Sequence, residues 1–159
     1  MLEAIARREV PRWVDQTFRL ITHLGGSACT TCICLLLLAI PGTRQLGVVD
    51  ALSSLVSHLM VQALKRTVVR RRPSVIQSHI APLCRLPDAY SFPSGHSCAA
   101  MALAVTLALG TPEIALPVLV LAGMVGASRV YLRVHYPTDV VAGQMLGVAT
   151  SLVLWAILA

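Results

Sequence analysis

Long apolar runs alternate with short polar segments along this chain. A helix that rises about 1.5 Å per residue needs about 20 apolar residues to cross a hydrocarbon layer of about 30 Å. Of the 159 residues, 56% are hydrophobic and only 13% are charged, and the mean hydropathy is +0.75. An ordinary soluble domain carries about 25% charged residues. The sequence therefore predicts an all-α integral membrane helical bundle.

The apolar runs predict five transmembrane helices in one membrane-embedded domain that covers residues 1–159. Their approximate bounds are 18–40, 46–64, 95–110, 114–131 and 139–159. Residues 1–17 contain several arginines and Trp13, a composition that predicts an interfacial segment ahead of the first span. Residues 65–93 contain four prolines and many basic residues, and we interpret them as an active-site loop.

Two patterns predict how the helices pack. The second span carries polar side chains, which at membrane depth must face protein or water, so this helix should lie inside the bundle. They are Asp50, Ser53, Ser54, Ser57 and His58. Gly143 and Gly147, four residues apart on the last span, allow a neighbouring backbone to approach closely, and Gly123 with Ala127 offers the same spacing on the fourth.

The five cysteines predict neither a disulfide framework nor a metal site. Cys29, Cys32 and Cys34 lie in one apolar run and Cys98 begins another, so we interpret them as small packing residues. One lipid-facing helix cannot present all three thiols to a single ion. Asp and Glu total only seven and are scattered, which leaves no carboxylate cluster for Mg²⁺. We therefore expect no metal and no cofactor.

A basic cluster follows the second span. Lys65 and Arg72 are seven residues apart, which at about 100° per residue brings them to nearly the same helical face, and Pro73 ends any helix there. An arginine fork binds phosphate oxygens in pairs, while a lysine acts as a mobile point charge. We interpret the remaining arginines as a juxtamembrane cluster for anionic lipid headgroups. They are Arg66, Arg70 and Arg71.

A second polar stretch, Pro93-Ser94-Gly95-His96, stands where the loop enters an apolar helix. The first N–H groups of a helix lack intrahelical acceptors and lie at the positive end of its dipole, so they form an anion site. Gly95 permits close backbone approach, and Ser94 offers a hydroxyl and an N–H. A single histidine at a helix start is usually structural, but His96 is accompanied by a second histidine.

That second histidine, His135, lies between Arg129 and Asp139. A carboxylate that accepts a hydrogen bond from one ring nitrogen fixes the tautomer and leaves the other nitrogen unprotonated and nucleophilic, which suits attack on phosphorus. The alternative is a simple interfacial polar pair of His135 and Asp139. Five spans place all three polar stretches on one side of the membrane.

Taken together, the three stretches resemble the three-part motif of the type 2 phosphatidic acid phosphatase family, also called the lipid phosphate phosphatases. They read Lys65-x6-Arg72-Pro73, Pro93-Ser94-Gly95-His96 and Ser128-Arg129-x5-His135-x3-Asp139. Every position of the motif is occupied as the family requires. Larger family members have six spans where this chain shows five.

The resemblance implies a metal-independent lipid phosphatase that works through a phosphohistidine. His135 would attack phosphorus, His96 would protonate the leaving oxygen, and Asp139 would orient His135. The phosphate oxygens would be held by Lys65, Arg72, Ser94, Gly95 and Arg129. Phosphatidic acid, phosphatidylglycerol phosphate and isoprenoid phosphates or diphosphates are all candidate substrates. The isoprenoid group ranks first because residues 66–72 offer more positive charge than one phosphate needs.

Two other functions stay open at this point. One is a vanadium haloperoxidase, in which vanadate occupies the phosphate site, although those relatives are soluble. The other is a non-catalytic membrane protein that uses the motif to bind lipid headgroups. The net charge of +6 does not indicate a nucleic-acid partner, because the basic residues lie between apolar runs and aromatic residues make up only 4% of the chain.

The distribution of positive charge bears on orientation. On the five-span arrangement, twelve of the thirteen Lys and Arg residues lie on the motif side, and Arg44 lies opposite. The positive-inside rule then places the site at the cytoplasmic surface. Many bacterial relatives act on the outer leaflet, so the resemblance favours the other side. We expect a multi-pass protein of a bacterial plasma membrane whose site lies at the membrane–water interface, with the cytoplasmic side favoured. The sequence does not indicate an oligomeric state.

Overall fold

Helices make up most of the chain in the computed structural model, which describes residues 11–76, 81–84, 86 and 88–159. The helices are α1 (Arg12–Leu24), α2 (Ser27–Ala39), α3 (Arg44–Val68), α4 (Pro73–Ile76), α5 (Gly95–Gly110), α6 (Ala115–Tyr131) and α7 (Pro137–Leu158). Short 3₁₀ turns at Pro41–Thr43 and Pro112–Ile114 precede α3 and α6. Each of these turns begins with a proline, which fits the first turn of a helix because it has no N–H to satisfy.

Three of these segments are long and apolar enough to cross a membrane. They are Pro41–Val68, Pro112–Tyr131 and Pro137–Leu158, of 28, 20 and 22 residues. The pair α1 and α2 would add a fourth if its two bent halves make one span. The remaining predicted span corresponds to α5, which is apolar but has only 16 residues and is about 24 Å long. The predicted all-α membrane architecture is confirmed.

The first predicted span is not one continuous helix. The axes of α1 and α2 are bent by 47° at Gly25 and Gly26. A Cβ atom at Gly25 would lie 2.6 Å from the carbonyl oxygen of His96 and 2.6 Å from Val125 Cγ1, so only glycine fits there. The sequence analysis did not detect this break within the span of residues 18–40, because a tertiary contact gives no signal in hydropathy. The predicted interfacial segment overlaps α1 from Arg12 onward, and residues 1–10 lie outside the described part of the chain.

The helix α5 lies at the centre of the bundle and packs against α3, α6 and α7. A Cβ atom at Gly143 would collide with the Ser94 carbonyl oxygen, and one at Gly147 would lie 2.5 Å from the Cys98 carbonyl oxygen. The predicted close approach at these two glycines is therefore confirmed. The similar prediction for Gly123 is wrong, because open space lies beside it.

The polar residues of α3 divide between the core and a cavity. Asp50, Ser53 and Ser57 are buried, as predicted for a helix inside the bundle. His58 is exposed and Ser54 is half-buried, which agrees with the expectation that such side chains face protein or water. Both of these side chains line the cavity that also contains the candidate site.

Candidate active site

One cavity collects residues from all three polar stretches. It has a volume of about 410 Å³ and lies among α2, α3, α5 and the loop between α6 and α7. Among its lining residues are Lys65, Arg72, Gly95, His96 and His135. The other three predicted site residues are buried and are not among its lining residues. They are Ser94, Arg129 and Asp139.

The route by which Arg72 reaches the cavity differs from the prediction. The helix α3 ends at Val68, and Val69 adopts a left-handed conformation with φ of 48°. Arg72 therefore lies beyond the helix, and its proximity to Lys65 comes from this turn rather than from a shared helical face. The segment is held by a bridge between Arg71 and Tyr90 and by the N–H of Ser91, which donates to the Arg70 carbonyl oxygen at 2.8 Å.

The hydrogen bonds of His135 determine its tautomer. Nδ1 lies 2.7 Å from the carbonyl oxygen of Ser91, which only accepts, so Nδ1 carries the proton. Nε2 lies 3.2 Å from Nη1 of Arg72, which only donates, so Nε2 presents a lone pair. This is the tautomer that a nucleophilic imidazole requires.

Asp139 is placed differently from the expected orienting partner. Its Oδ2 lies 3.7 Å from Nδ1 of His135, too far for a hydrogen bond. The carboxylate instead accepts from the backbone N–H of Tyr136 at 2.8 Å and from Nη1 of Arg70 at 2.9 Å. The Ser91 carbonyl is therefore the group that orients the ring, and Asp139 acts on it through its charge.

Arg70, which the sequence analysis assigned to a headgroup cluster, makes contacts within the protein. In addition to Asp139, its Nη1 donates to Thr138 Oγ1 at 2.8 Å, and its guanidinium lies over the ring of Tyr136 at 4.1 Å. These contacts tie the basic segment to the start of α7. The headgroup interpretation of Arg70 stays a prediction, to which the structure adds that the charge of Arg70 is paired with a buried carboxylate.

Burial keeps His135 neutral. Removal from water lowers its pKa to about 4, the positive charges of Arg129 and Arg72 add to this effect, and Asp139 opposes it. At neutral pH the ring is therefore unprotonated at Nε2. A neutral imidazole beside fixed cations is suited to attack an anionic, electron-poor centre.

A residue that the sequence analysis missed, Asp88, holds both cations of the first stretch. Its Oδ2 pairs with Lys65 Nζ at 2.5 Å and its Oδ1 with Arg72 Nη2 at 2.8 Å. Its carbonyl oxygen also accepts from Arg72 Nε at 2.8 Å. Burial alone would raise the pKa of Asp88, but the hydrogen bonds from Lys65 and Arg72 outweigh it and lower the pKa. The only sequence signal was an isolated acidic residue in a basic loop.

The hydroxyl and the backbone N–H of Ser94 are both hydrogen-bonded to other parts of the protein. Its hydroxyl lies 2.8 Å from that of Ser97, and its N–H donates to the Asp139 carbonyl oxygen at 2.9 Å. The N–H that was expected to bind phosphate is thus occupied in this structure. Ser94 caps α5 and so fixes the first turn, where Gly95 and His96 line the cavity.

Arg129 is buried with much of its donor capacity unused. Its Nη1 donates to Thr22 Oγ1 at 2.8 Å. Its Nε and Nη2 have no hydrogen-bond partner among the described residues. Buried unsatisfied donors are costly, so this guanidinium is suited to receive the oxygens of an anion. Within the same described ranges, no three His, Cys, Asp or Glu side chains form a metal-binding group.

Comparison with known proteins decides the family. A sequence model of the PAP2 superfamily matches residues 42–159, which include every residue of the three stretches. The chain belongs to the PAP2 superfamily. The resemblance to the type 2 phosphatidic acid phosphatases is thereby confirmed, and with its apolar helices this PAP2 chain is an integral membrane protein.

Several similar proteins, and one similar solved structure, are named as phosphatases. The chain is 34% identical over 113 residues to an undecaprenyl-diphosphatase of Sulfolobus acidocaldarius, covering 70% of this chain and 55% of that protein. It is 37% identical over 135 residues to the decaprenylphosphoryl-5-phosphoribose phosphatase of Mycobacterium tuberculosis, covering 82% and 73% respectively. The PAP2 phosphatidylglycerolphosphate phosphatase from Bacillus subtilis superposes with a TM-score of 0.81 at 29% identity, over 98% of this chain and 81% of that one.

Proposed function

We propose that this PAP2 protein hydrolyses a phosphate ester or diphosphate of a membrane lipid through a phosphohistidine at His135. The observation that carries the proposal is the lone pair on His135 Nε2, held in a cavity beside Arg72 and Lys65. An unprotonated ring nitrogen next to two fixed cations is the pair of features that in-line attack on a phosphate requires. The family and the named relatives support the same reaction class.

In the first step, Nε2 of His135 forms a bond to phosphorus while the bond from phosphorus to the leaving oxygen breaks. His96, which lines the same cavity, donates a proton to that oxygen, so a phosphate ester releases the lipid as a neutral alcohol and a diphosphate releases it as a protonated lipid monophosphate. Lys65, Arg72 and Arg129 stabilise the charge on the non-bridging oxygens, and the first-turn N–H groups at Gly95 add to this.

In the second step, water attacks the phosphohistidine. Neutral His96 takes the proton of the water, the bond from phosphorus to Nε2 breaks, and inorganic phosphate leaves. The negative charge of Asp139 stabilises the positive ring of phosphorylated His135. We assign Ser94 a supporting role, because it caps the helix that carries Gly95 and His96.

The substrate is proposed as a class. The named relatives act on an isoprenoid diphosphate, an isoprenoid-linked sugar phosphate and a glycerophospholipid phosphate, and we propose a lipid phosphate from one of these groups. We also propose that the protein resides in a bacterial plasma membrane with its site at the cytoplasmic surface, supported by the excess of basic residues on the side of the motifs.

Phosphate release in detergent tests the reaction. We expect the purified protein to release phosphate from a panel of lipid phosphates in the presence of EDTA. His135→Asn should lower turnover by at least 10³-fold, the order seen when a covalent nucleophile is removed. Arg66→Gln, an exposed position at the end of α3, serves as the control. Brief incubation with radiolabelled substrate should trap an acid-labile, base-stable phosphoprotein that the asparagine variant lacks.

Two outcomes would contradict this mechanism. Undiminished turnover by His135→Asn would show that His135 is not the nucleophile. Activity that EDTA abolishes and Mg²⁺ restores would show that the fixed cations do not suffice for catalysis. Lipid phosphate binding without any turnover would support the alternative of a headgroup-binding protein.

A further inference from the structure

The cavity extends beyond the two histidines, towards the membrane interior. There it passes between α2 and α3, alongside the first turns of α5. Its lining in this part, which we call the deep extension, includes hydrogen-bonding side chains of two helices: Thr30, Thr31, Ser54, His58 and Gln62. Because α3 rises about 1.5 Å per residue, Ser54 lies about 16 Å along the helix from Lys65.

The polar side chains of α3 share one face. At about 100° per residue, four of them fall within about 80° of one another. They are Ser54, His58, Gln62 and Lys65. Nε2 of Gln62 lies 3.4 Å from Nε2 of His58, so the two side chains form a hydrogen-bonded pair. The pair stands between the cation end of the cavity and its inner end.

The position of this pair needs a reason, because α3 crosses the membrane. An exposed imidazole and a half-buried amide at membrane depth are costly unless they meet a polar partner. The opposite face of α3 presents apolar side chains such as Val56 and Met60. In the middle of α3, the polar side chains that are not buried in the core thus lie on the face that lines the cavity.

The deep extension lies on the side of the proposed proton donor. A Cβ atom at Gly26 would lie 3.8 Å from Nε2 of His96, so the His96 ring adjoins the break between α1 and α2. Gly25 and Ser27 at that break line the cavity as well. In an in-line displacement the leaving group departs opposite the nucleophile, and the group that protonates it must stand beside it. The leaving group would therefore enter the deep extension.

The charge of the deep extension restricts what fits. The cations that line the cavity, Lys65 and Arg72, stand at the phosphate end with His135. The inner lining offers neutral hydroxyl, amide and imidazole groups beside apolar side chains such as Leu55 and Val61. The neutral polar groups suit hydroxyl groups better than a second phosphate.

We propose that the deep extension is a leaving-group subsite for a neutral polyol, a glycerol or a sugar, that joins the phosphate to the lipid. His58 and Gln62 are its principal hydrogen-bonding residues. This inference rests on the proposed phosphatase activity and narrows its substrate class: an isoprenyl or alkyl chain attached directly to the phosphate would leave the remaining donors and acceptors of these two side chains without a partner in the substrate.

Two lipids with the same tail test the subsite. They are 1-O-hexadecylglycerol 3-phosphate, whose leaving group carries a free hydroxyl, and hexadecyl phosphate, whose leaving group is apolar. We expect the protein to show a higher kcat/KM for the glycerol ether. The double variant His58→Leu with Gln62→Leu should reduce the ratio of the two kcat/KM values about tenfold, as expected for the loss of one or two hydrogen bonds. Met60→Leu, on the opposite face, should leave the ratio unchanged.

The outcomes separate the subsite from the activity itself. A protein that hydrolyses both lipids but prefers hexadecyl phosphate, or a ratio that the double variant does not change, overturns the subsite and leaves the phosphatase intact. A protein that hydrolyses neither lipid nor any other lipid phosphate overturns both. If the double variant does not fold, Thr31→Val on the facing helix provides the same comparison, and an unchanged ratio there also overturns the subsite.

Discussion

Asp88 shows how a single carboxylate can organise a cationic site. Lys65 and Arg72 would repel each other in a buried pocket, and Asp88 pairs with both of them through separate oxygens. It engages Arg72 through Nε and Nη2, one edge of the fork. Nη1 stays on the side of His135. Asp88 therefore positions the two cations, and Nη1 of Arg72, which also donates to the Val134 carbonyl oxygen at 2.8 Å, is held beside the nucleophile.

Replacement of Asp88 tests this positioning role. Asp88→Asn keeps the shape of the side chain but removes its charge, so Lys65 and Arg72 should separate. We expect the KM for lipid phosphate to rise and kcat/KM to fall about tenfold to 100-fold, measured by phosphate release. A fall in KM would show instead that Asp88 competes with substrate for the two cations.

The low pKa of His135 predicts an unusual pH dependence. Burial lowers the pKa from its ordinary value of 6.5 to about 4, so the nucleophile stays unprotonated well into the acidic range. In a profile of kcat/KM against pH, the loss of activity caused by protonation of His135 should be centred near pH 4. A loss centred near 6.5 that persists in His96→Gln would contradict this. Between about pH 6.5 and 4, His135 takes up a proton in the unfolded chain but not in the folded chain. The free energy of unfolding should therefore decrease as the pH falls through this window.

At the scale of single residues, the sequence predicted which side chains meet but not which atoms bond. Lys65, Arg72, His96 and His135 reach one cavity. The acceptor for His135 is a backbone carbonyl, that of Ser91. A backbone acceptor leaves no mark on residue identity, so no sequence pattern could have revealed it.

At the scale of helices, two pairs of glycines set the position of α5, Gly143 with Gly147 and Gly25 with Gly26. Gly143 and Gly147 bring α7 against its first turns, and Gly25 brings the break between α1 and α2 against His96. The first pair was predictable because its spacing places both glycines on one helical face. The second was not, because an apolar run that contains two glycines reads as a single span.

Two alanine substitutions compare a tight glycine with an open one. A Cβ atom at Gly147 would lie 2.5 Å from the Cys98 carbonyl oxygen and 2.9 Å from the Ala102 nitrogen, and backbone atoms cannot move aside. We expect Gly147→Ala to destabilise the fold by about 1–3 kcal/mol and to lower Tm in detergent. Gly123→Ala, which meets open space, should have no such effect because alanine favours a helix. Equal Tm values for the two variants would contradict the close packing.

At the scale of the whole molecule, the topology brings together segments that are far apart in sequence. The chain crosses between its polar stretches through α5 and α6, and the start of α5 and the loop after α6 meet at the same cavity. The number of apolar runs between the polar stretches predicted this arrangement, because each run was taken to cross the membrane once. The number of full spans was less predictable, because α5 is shorter than a typical crossing and α1 is bent against α2.

Thiol labelling in intact cells tests the orientation. Ala89, an exposed residue of the loop between α4 and α5, is a suitable probe. In a Cys84→Ser background, Ala89→Cys should react with an impermeant maleimide only after permeabilisation if the site faces the cytoplasm. Gly42→Cys, in the turn at the other end of α3, should react in intact cells. The reverse pattern would place the site on the outer surface.

The short central helix has a consequence for the surrounding lipid. A length of about 24 Å is less than a hydrocarbon layer of about 30 Å, and α5 is packed among longer helices rather than against lipid, so water must reach below the headgroups at an end of α5. His96 stands at the end of α5 that lines the cavity. The phosphate of a lipid would then sink by several ångströms to be cleaved, and acyl chain length in the host membrane becomes a determinant of turnover.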